Sequence, residues 1–382
     1  MKNHRPPKKR LKLHLFGITL KLPNPLWKIQ EKCFLESQIE EQNKFDLTYF
    51  LNSPKQLIVF VLPGEIVISG GILSIFSLCK YTKEILQDSD VLLVTEPGNL
   101  TYAQLNWFKN HEKILRWEQI AEILPTKREV VLHVPEYLAG IFADRLTINW
   151  KAEHLKNTKL TINILNQNPL LLPGSEVVSK LTLFTRNITQ TLAFRDSNVE
   201  EMGRAYRTPV KFISSYVDLS DWKPVSFIEK NKTILLSPDK NRYSSALIRE
   251  LKTKLPDFNV SVIQDFTFED YMKEVTSAFA VITLGEGFDG YLLQAASVKT
   301  LSFAVYNEVF FPNEEFLALP NIYRSYPELL ERITNDIIEY QYDSSRYYKT
   351  IEELRALDRE HSEEFVKENL LKYYRRDFDC LP

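Results

Sequence analysis

The stretch Leu284-Gly285-Glu286-Gly287-Phe288-Asp289-Gly290-Tyr291-Leu292-Leu293-Gln294 decides the fold class that we predict for this chain. It follows an apolar run, residues 279–283, that indicates a buried parallel strand, and its own apolar end indicates the start of a helix. Its three glycines let the backbone turn tightly and approach a ligand without steric clash. We therefore expect Glu286 at the carboxyl end of a strand, beside the N–H groups of the next helix, where open α/β sheets bind ligands. The alternative is a glycine-rich turn with a solvated glutamate.

An alternation of strands and helices extends from this stretch in both directions. The predicted strands cover residues 56–62, 91–94, 129–134, 160–165, 181–185, 232–236, 259–262, 278–283 and 301–306. The predicted helices cover residues 33–43, 72–86, 102–110, 136–146, 244–255 and the chain from 326 onward. Strands separated by helices pair in parallel through right-handed crossovers. The pattern predicts an α/β protein with two Rossmann-like domains facing each other across a cleft.

A chain of 382 residues exceeds one ordinary core, since domains average roughly 150 residues. We expect a basic N-terminal segment (1–30), a first Rossmann-like domain (31–209), a second one (210–340) and C-terminal helices (341–382). The last of these are expected to pack back towards the first domain.

The composition excludes several classes of protein. No apolar run is long enough to span a bilayer, no signal peptide is visible, and the three cysteines are too scattered for a disulfide framework or a zinc site. These features predict a cytoplasmic protein. Asp88-Ser89-Asp90 has the spacing of metal-binding aspartates, but it precedes a strand instead of following one. We interpret it as a solvated turn and predict that no metal or other cofactor is bound.

The N-terminal segment is basic, with eight Lys or Arg residues and no acidic residue before Glu31. Residues 11–22 largely alternate between apolar and polar, which predicts a short hairpin instead of an amphipathic helix. Basic and apolar residues together favour contact with an anionic membrane surface at the inner face of the cell membrane. The alternative is a solvated or disordered basic tail. We do not expect nucleic-acid binding, because the rest of the chain is acidic and carries no binding motif.

These residues resemble the glycosyltransferases of the GT-B fold, and within them the large retaining family of bacterial surface-polysaccharide enzymes. The resemblance lies mainly in residues 232–307, where Glu286 begins a motif of a glutamate, seven residues and a second glutamate. Gln294 occupies the second position here. The segment 163–169 resembles rhamnosyltransferases of the S-layer-glycan type, whose glutamine is followed by an acidic residue; Asn168 stands there in this chain. Residues 12–18 look like the basic leader of capsule and lipopolysaccharide glycosyltransferases.

The resemblance implies a role for each candidate site residue. Glu286 and His133 would be catalytic residues at the donor sugar, and we expect His133 at a cleft-facing strand end. Lys240 would bind the donor diphosphate. Arg242 would replace an arginine that the family places at the position of Leu235. The other donor-binding candidates are Asn241, Gly285, Gly287, Phe288, Asp289 and Gln294, the last at the ribose. The candidate acceptor or phosphate loops contain Gly70, Gly71, Asn166, Gln167 and Asn168.

Each candidate also has a purely structural interpretation. Lys240 then lies in an exposed turn, Gln294 is an ordinary helix residue, and His133 serves the packing of the first domain. The two glycines at 70 and 71 would form a tight turn, and the amides at 166–168 an Asx-rich loop.

The resemblance further implies a hexosyl- or deoxyhexosyltransferase. It would move a sugar from a nucleotide-diphosphate donor to a growing surface glycan, free or lipid-linked, with retention of configuration. Two alternatives remain open at this point: a non-catalytic nucleotide-sugar-binding protein, and a sugar-nucleotide epimerase of the same two-domain type.

Overall fold

The computed structural model describes residues 10–15, 18–23, 25–64, 69–97, 108, 112–149, 155, 157–194, 198–239, 241–264 and 266–382. Its strands are β1 (Arg10–Leu15), β2 (Ile18–Pro23), β3 (Gln56–Leu62), β4 (Ser89–Thr95), β5 (Ile114–Leu115), β6 (Glu129–Pro135), β7 (Lys159–Asn166), β8 (Asn187–Leu192), β9 (Val210–Phe212), β10 (Asn231–Leu236), β11 (Asn259–Val262), β12 (Ala278–Ile282), β13 (Leu301–Val305) and β14 (Ile322–Tyr323). Its α-helices are α1 (Trp27–Asn43), α2 (Thr48–Asn52), α3 (Gly70–Ile85), α4 (Trp117–Ile123), α5 (Glu136–Asn149), α6 (Ser175–Leu181), α7 (Val199–Tyr206), α8 (Ser244–Lys254), α9 (Phe268–Ser277), α10 (Gly290–Ser297), α11 (Tyr326–Tyr342), α12 (Ser344–Leu357) and α13 (Glu363–Tyr374).

One sheet contains seven strands in the order β5-β4-β3-β6-β7-β8-β9. The pairs β3–β4, β3–β6, β6–β7 and β8–β9 are parallel, as expected for strands joined by helices. Every residue of β3 after Gln56 is buried, which fits a central strand covered on both faces. In the register of the central strands, Phe60, His133 and Asn163 lie side by side.

The second large sheet contains five strands in the order β11-β10-β12-β13-β14, and all of its pairings are parallel. The chain adds β11 on one side of β10 and β12 on the other, so the order of the strands reverses between β10 and β12. Loops that leave the carboxyl ends of two such strands diverge, and the crevice between them is the usual ligand site of an open α/β sheet. The residues that follow Leu236 and Ile282 therefore lie at the switch point of this sheet.

Helix α12 is fixed to the five-stranded sheet through Tyr347. This tyrosine is fully buried in the hydrophobic cluster that the sheet forms with α8, α10, α11 and α12. Its hydroxyl donates to Phe279 O (2.8 Å) and accepts from Leu301 N (3.0 Å). Burying the hydroxyl group costs little free energy because it is hydrogen-bonded as both donor and acceptor. These two bonds connect α12 to both β12 and β13.

The C-terminal segment covers the outer edge of the seven-stranded sheet. Val210 of β9 forms an antiparallel bridge with Cys380. The Asp379 carboxylate accepts hydrogen bonds from Phe212 N (2.7 Å) and from Lys211 Nζ (2.5 Å). The outer edge of β9 is thereby paired within the chain, which protects it from pairing with another chain.

Contacts within the chain define two compact units. The first comprises Met1–Ser69, Cys79–Leu165 and Pro173–Thr189, and the second comprises Gly70–Leu78, Asn166–Leu172 and Gln190–Pro382. The four-part division that the sequence suggested stays a prediction. Among the described residues, no helix is both long enough and apolar enough to cross a bilayer.

Most predicted elements are confirmed, often to within two residues at each end. The N-terminal hairpin is also confirmed, with Lys12 opposite Lys21 in its register. Apart from residue 108, the predicted helix 102–110 lies outside the described residues.

The predicted strand at 181–185 is wrong. Residues 175–181 form α6, and the strand begins at Asn187. The alternating run around Leu183 misled the prediction, because that side chain is 64% exposed. The true strand β8 buries the polar residues Thr189 and Gln190, and its interior position depends on hydrogen bonds to residues distant in sequence.

Candidate functional site

The glycine-rich turn after β12 has a shape that requires glycine at position 287 and makes a close approach at position 285. Gly287 has φ +85°, and a Cβ there would lie 2.5 Å from the backbone oxygen of Val305. At Gly285 a Cβ would lie 2.8 Å from the carboxylate of Asp239, which follows β10. The absence of side chains therefore allows this turn to approach both β13 and the neighbouring β10 loop. The glycines predicted as donor-binding have this structural role.

Asp289 caps helix α10. Its Oδ1 accepts from Tyr291 N (2.8 Å) and Leu292 N (3.1 Å), and its Oδ2 accepts from Thr283 Oγ1 (2.5 Å). We expected the N–H groups of this helix to be available to a ligand, but the chain's own aspartate occupies two of them, those of Tyr291 and Leu292. Burial raises the pKa of Asp289 to about 7, against the opposing effect of its hydrogen bonds.

Glu286 lies half-buried at the switch point, between the cap and the β10 loop. Its Oε1 accepts a hydrogen bond from Asn168 Nδ2 at 2.8 Å. Burial raises the pKa of Glu286, the hydrogen bond from Asn168 opposes this, and the negative charge of Asp239 adds to it. The carboxylate is therefore both accessible and oriented by a partner 118 positions away in the sequence.

The segment Asn166-Gln167-Asn168 sends its three amide side chains to three different elements. Asn166 Nδ2 donates to Gln190 Oε1 and Thr191 O of β8, each at 3.0 Å. Gln167 Nε2 donates to Gly71 O (3.2 Å) and Ser74 Oγ (2.5 Å) at the start of α3. Asn168 reaches Glu286. These residues were predicted as one acceptor or phosphate loop; the structure brings only Asn168 to Glu286.

Gly70 and Gly71 form the first residues of α3 instead of the end of a loop. A Cβ on Gly70 would meet nothing within 4 Å, so its surroundings do not require glycine. Gly71 contributes its carbonyl oxygen to Gln167. The predicted roles at the diphosphate or the acceptor stay predictions.

Asn241 joins the β10 loop to the glycine-rich turn. Its Nδ2 donates to Leu284 O (3.0 Å), and its Oδ1 accepts from Tyr243 N (2.8 Å). Tyr326 Oη donates to the same carbonyl of Leu284 at 2.7 Å, and its ring stacks on Tyr243 at 5.1 Å. Arg242 is exposed beside this pair, with its guanidinium over the Tyr243 ring at 4.7 Å. Of the predicted diphosphate cations, Arg242 is therefore at the switch point, and Lys240 lies outside the described residues.

Two further donor-binding candidates belong to the packing of the turn. The ring of Phe288 lies within 5.5 Å of the rings of Phe311, Phe316 and His361. Gln294 is only 7% exposed, and its Nε2 would lie 2.9 Å from a Cβ on Gly290. Phe288 thus packs the turn against the hydrophobic cluster of the five-stranded sheet, and Gln294 lies buried beside Gly290.

His133 lies in the first unit, inside β6. It is 1% exposed, its ring stacks on Phe60 at 4.4 Å, and its Nδ1 lies 3.0 Å from Asn163 Nδ2. Burial lowers the pKa of His133 to about 3. A neutral ring with Nδ1 as acceptor from the amide suits this environment. The prediction that His133 lies at a cleft-facing strand end is wrong, because β6 continues to Pro135 and the side chain is buried. Its catalytic role stays a prediction.

Of the two aspartates at 88 and 90, only Asp88 lies in the solvated turn that we predicted. Asp90 lies buried in β4, and its Oδ2 is 3.4 Å from Lys127 Nζ. In the part of the chain that the structure describes, no group of three or more His, Cys, Asp or Glu side chains is placed to hold a metal ion. The expectation that no metal or cofactor is required stays a prediction.

Sequence reasoning missed Asp239 as a neighbour of Glu286. The signal was available in part, since Asp239 follows a predicted strand. Its proximity to Gly285, however, depends on β10 and β12 being adjacent, and the order of strands in a sheet is not written in the order of the sequence. Tyr326, from a helix predicted only as part of a long tail, was missed for the same reason.

No protein-family model and no curated protein matches this chain. Solved structures do match it. An α-glucosyltransferase in complex with UDP and a 13-mer DNA containing an HMU base shares 8% identity with a TM-score of 0.53, over 80% of this chain and 95% of that chain. Anabaena Alr3699/HepE in complex with UDP and glucose shares 11% identity with a TM-score of 0.53, over 83% of this chain and 99% of that chain.

A third structure, a variant of S. aureus TarM in complex with Fondaparinux, alpha-GlcNAc-glycerol and UDP, shares 8% identity with a TM-score of 0.55, over 85% of this chain and 100% of that chain. At such identities the likeness establishes the fold. The chain has the GT-B fold of these glycosyltransferases, with two Rossmann-like sheets and additional helices, as the sequence predicted.

Proposed function

We propose that this protein is a glycosyltransferase that moves a hexose or deoxyhexose from a nucleotide-diphosphate donor to a growing cell-surface glycan. The observation that carries the proposal is Glu286: a half-buried, hydrogen-bonded carboxylate at the switch point of a parallel sheet. This is the position where open α/β sheets bind their ligands. The fold is shared with several glycosyltransferases that were solved in complex with UDP, and this likeness adds support.

In the proposed reaction Glu286 accepts hydrogen bonds from hydroxyl groups of the donor sugar and so orients the anomeric carbon. Orientation of this kind lowers the barrier because it removes the entropy cost of aligning the reactants. Arg242 and Lys240 offset the charge that develops on the departing diphosphate. The bond from the anomeric carbon to the diphosphate oxygen breaks, and a bond to the acceptor oxygen forms. For a retaining, same-face substitution, the proton of the acceptor hydroxyl passes to the departing diphosphate.

The acceptor in this proposal is a capsule, lipopolysaccharide or similar surface glycan, free or lipid-linked. A rhamnosyl donor is one version of it, supported by the likeness of residues 163–169 to rhamnosyltransferases. The N-terminal hairpin supports a lipid-linked acceptor at the inner face of the membrane. Its register places Lys12 opposite Lys21, between the apolar pairs Leu11–Leu22 and Leu13–Leu20. Each basic residue near an anionic surface contributes about 1 kcal/mol to binding.

A panel of nucleotide-diphosphate sugars tests the proposal in two stages. Binding is first detected by thermal shift, because a ligand of the folded state raises its apparent stability. Transfer is then measured as release of the nucleotide diphosphate in the presence of glycan acceptors. We expect turnover by the wild type and a large loss in Glu286→Gln, with no loss in Glu308→Gln, a change of an exposed glutamate in the same unit.

The same panel separates the alternatives. A donor that binds without any turnover identifies a non-catalytic nucleotide-sugar-binding protein. Conversion of the donor to another nucleotide sugar without an acceptor identifies an epimerase. Membrane contact is tested separately by sedimentation with anionic and neutral vesicles, where Lys12→Glu together with Lys21→Glu should release the protein from the anionic ones.

A further inference from the structure

The hydrogen bond between Asn168 and Glu286 has a fixed direction. Asn168 Oδ1 accepts from Leu170 N at 2.9 Å, at the start of the short 3-10 turn Pro169–Leu171. The amide therefore presents its NH₂ group to Glu286 Oε1 at 2.8 Å. Since an amide has one acceptor end and one donor end, both ends of this side chain are engaged in their proper roles.

The backbone that carries Asn168 is itself held in place. Asn166, two residues earlier, is buried and bonded to β8, and Gln167 is bonded to the start of α3. These contacts attach the segment to β8 and to α3. The donor group at position 168 is thus preorganised, and a hydrogen bond from a preorganised group costs little conformational entropy to form.

We propose that Asn168 is the positioning residue of Glu286: its amide holds the carboxylate in the rotamer that receives the donor sugar. The inference rests on the proposed function for the sugar, whereas the contact itself is a property of the free protein. Asn168 acts through Glu286 and need not touch the substrate.

The charges around Glu286 explain why a neutral donor stands at position 168. The titratable groups that face Glu286 from the described elements are Asp239 of the β10 loop and Asp289 of the helix cap, both of them acidic. A further carboxylate would repel Glu286 as well as fail to donate a hydrogen bond. An amide instead stabilises the ionised form without adding charge.

In Asn168→Asp the interaction between position 168 and Glu286 should depend on pH. Two carboxylates at hydrogen-bond distance cannot both ionise readily, so the pair takes up one shared proton at a pH well above the usual carboxyl range. Above that pH the introduced carboxylate repels Glu286. Below it the protonated carboxyl group donates a hydrogen bond to Glu286 and reproduces the role of the amide.

The test compares sugar transfer by the wild type, Asn168→Asp, Asn168→Ala and the control Asn231→Asp between about pH 5.5 and pH 8. Asn231 is an exposed asparagine at the opposite end of β10, so the control adds the same charge away from the site. At pH 8 we expect kcat/KM to fall about 30-fold or more in Asn168→Asp, with at least about a fivefold recovery relative to the wild type by pH 5.5. The deficit of Asn168→Ala should not change with pH, and Asn231→Asp should match the wild type.

The free protein gives a second readout that needs no substrate. The denaturant midpoint of Asn168→Asp should lie below that of the wild type at about pH 8 and approach it at about pH 5.5. In a Glu286→Gln background this pH dependence should largely disappear, because the repelling partner is gone. A pH-independent deficit in both transfer and stability would overturn the inference, as would full activity of Asn168→Ala. If the wild type transfers no sugar at all, the proposed function fails, while the stability readout still decides whether Asn168 and Glu286 are coupled.

Discussion

His133 and Glu286 were both expected at the carboxyl end of a parallel strand, and the structure gives them opposite environments. His133 lies within β6, between Phe60 of β3 and Asn163 of β7, and is closed off from solvent. Glu286 lies beyond the end of β12, in a glycine-rich turn, and remains half exposed. Residues inside a strand are buried by the side chains of the neighbouring strands, whereas residues in the turn that follows the strand lack these neighbours. A shift of a few residues along the chain is therefore enough to change a buried packing residue into an accessible one.

The largest effect is expected from Glu286→Gln, which keeps the size of the side chain and removes its charge. Transfer should fall about 100-fold, which corresponds to about 2.7 kcal/mol of transition-state stabilisation. The free energy of unfolding should change by less than about 0.5 kcal/mol, since the side chain is only half-buried. Steady-state kinetics and urea unfolding measure the two quantities. Unchanged turnover would contradict the role of Glu286 in sugar transfer, and its accessibility would then not distinguish it functionally from His133.

The next effect concerns the turn that keeps Glu286 exposed. Gly287→Ala introduces a Cβ 2.5 Å from a backbone oxygen at a positive φ, and neither strain is relieved by moving a flexible side chain. We expect a loss of about 2 kcal/mol of folding free energy. The matched control is Gly70→Ala, where a Cβ meets nothing within 4 Å and the loss should stay below about 0.5 kcal/mol. Equal losses at both positions, measured by urea unfolding, would contradict the account.

A smaller effect is expected from His133→Phe, which keeps the stacking on Phe60 and removes the acceptor for Asn163 Nδ2. An unpaired buried donor should cost about 1–2 kcal/mol at pH 7, with transfer within about threefold of the wild type. A loss of transfer near 100-fold would show instead that His133 acts on the substrate.

The pH dependence of the same variant sharpens the test. The pKa of His133 is about 3 in the folded protein, against an ordinary value of 6.5, so between these limits the unfolded chain binds a proton that the folded protein does not. His133 therefore makes stability fall as the pH decreases from 6.5 towards 3, by up to about 1.4 kcal/mol per pH unit. In His133→Phe this contribution is absent, so the deficit relative to the wild type should shrink in acid. Parallel stability curves would show that the ring is protonated or solvated in the folded state.

The smallest effect concerns the cap that closes the turn. Asp289→Ala leaves Tyr291 N and Leu292 N without their acceptor and should cost about 1 kcal/mol. Asp289→Asn retains an acceptor oxygen and should recover most of the loss, because asparagine caps helices about as well as aspartate. Thermal or urea unfolding of the two variants provides the measurement. If both were equally destabilised, the charge and not the cap would be the important property.

Residues 56–62 and 259–262 match β3 and β11 at both ends. The interior of β3 is apolar throughout, which is the local signal of a strand that is covered on both faces. The failure at 181–185 has a different cause: β8 carries buried polar residues, and no local pattern distinguishes these from exposed ones. Gln190 can be buried in β8 because both ends of its amide are paired. Its Nε2 donates to Thr208 Oγ1, and its Oε1 accepts from Asn166 Nδ2, and both partners are distant in sequence.

The candidate site was predictable only in its local parts. The sequence identified the glycine-rich turn and Glu286, because the residue types and their spacing after an apolar run carry that information. It also identified Asn168, but for a different role. The pairing of Asn168 with Glu286 and the approach of Asp239 to Gly285 depend on side chains brought together from separate elements.

By itself the sequence determined the α/β class, the parallel strands, the N-terminal hairpin and the turn that carries Glu286. All of these follow from steric and hydrophobic preferences that act over a few residues. Only the tertiary structure decided which polar residues are partners, that His133 is enclosed, and that Asp289 accepts from two N–H groups at the start of α10. Those outcomes depend on strand order and packing, in which residues far apart in the chain exclude water from one another and complete each other's hydrogen bonds.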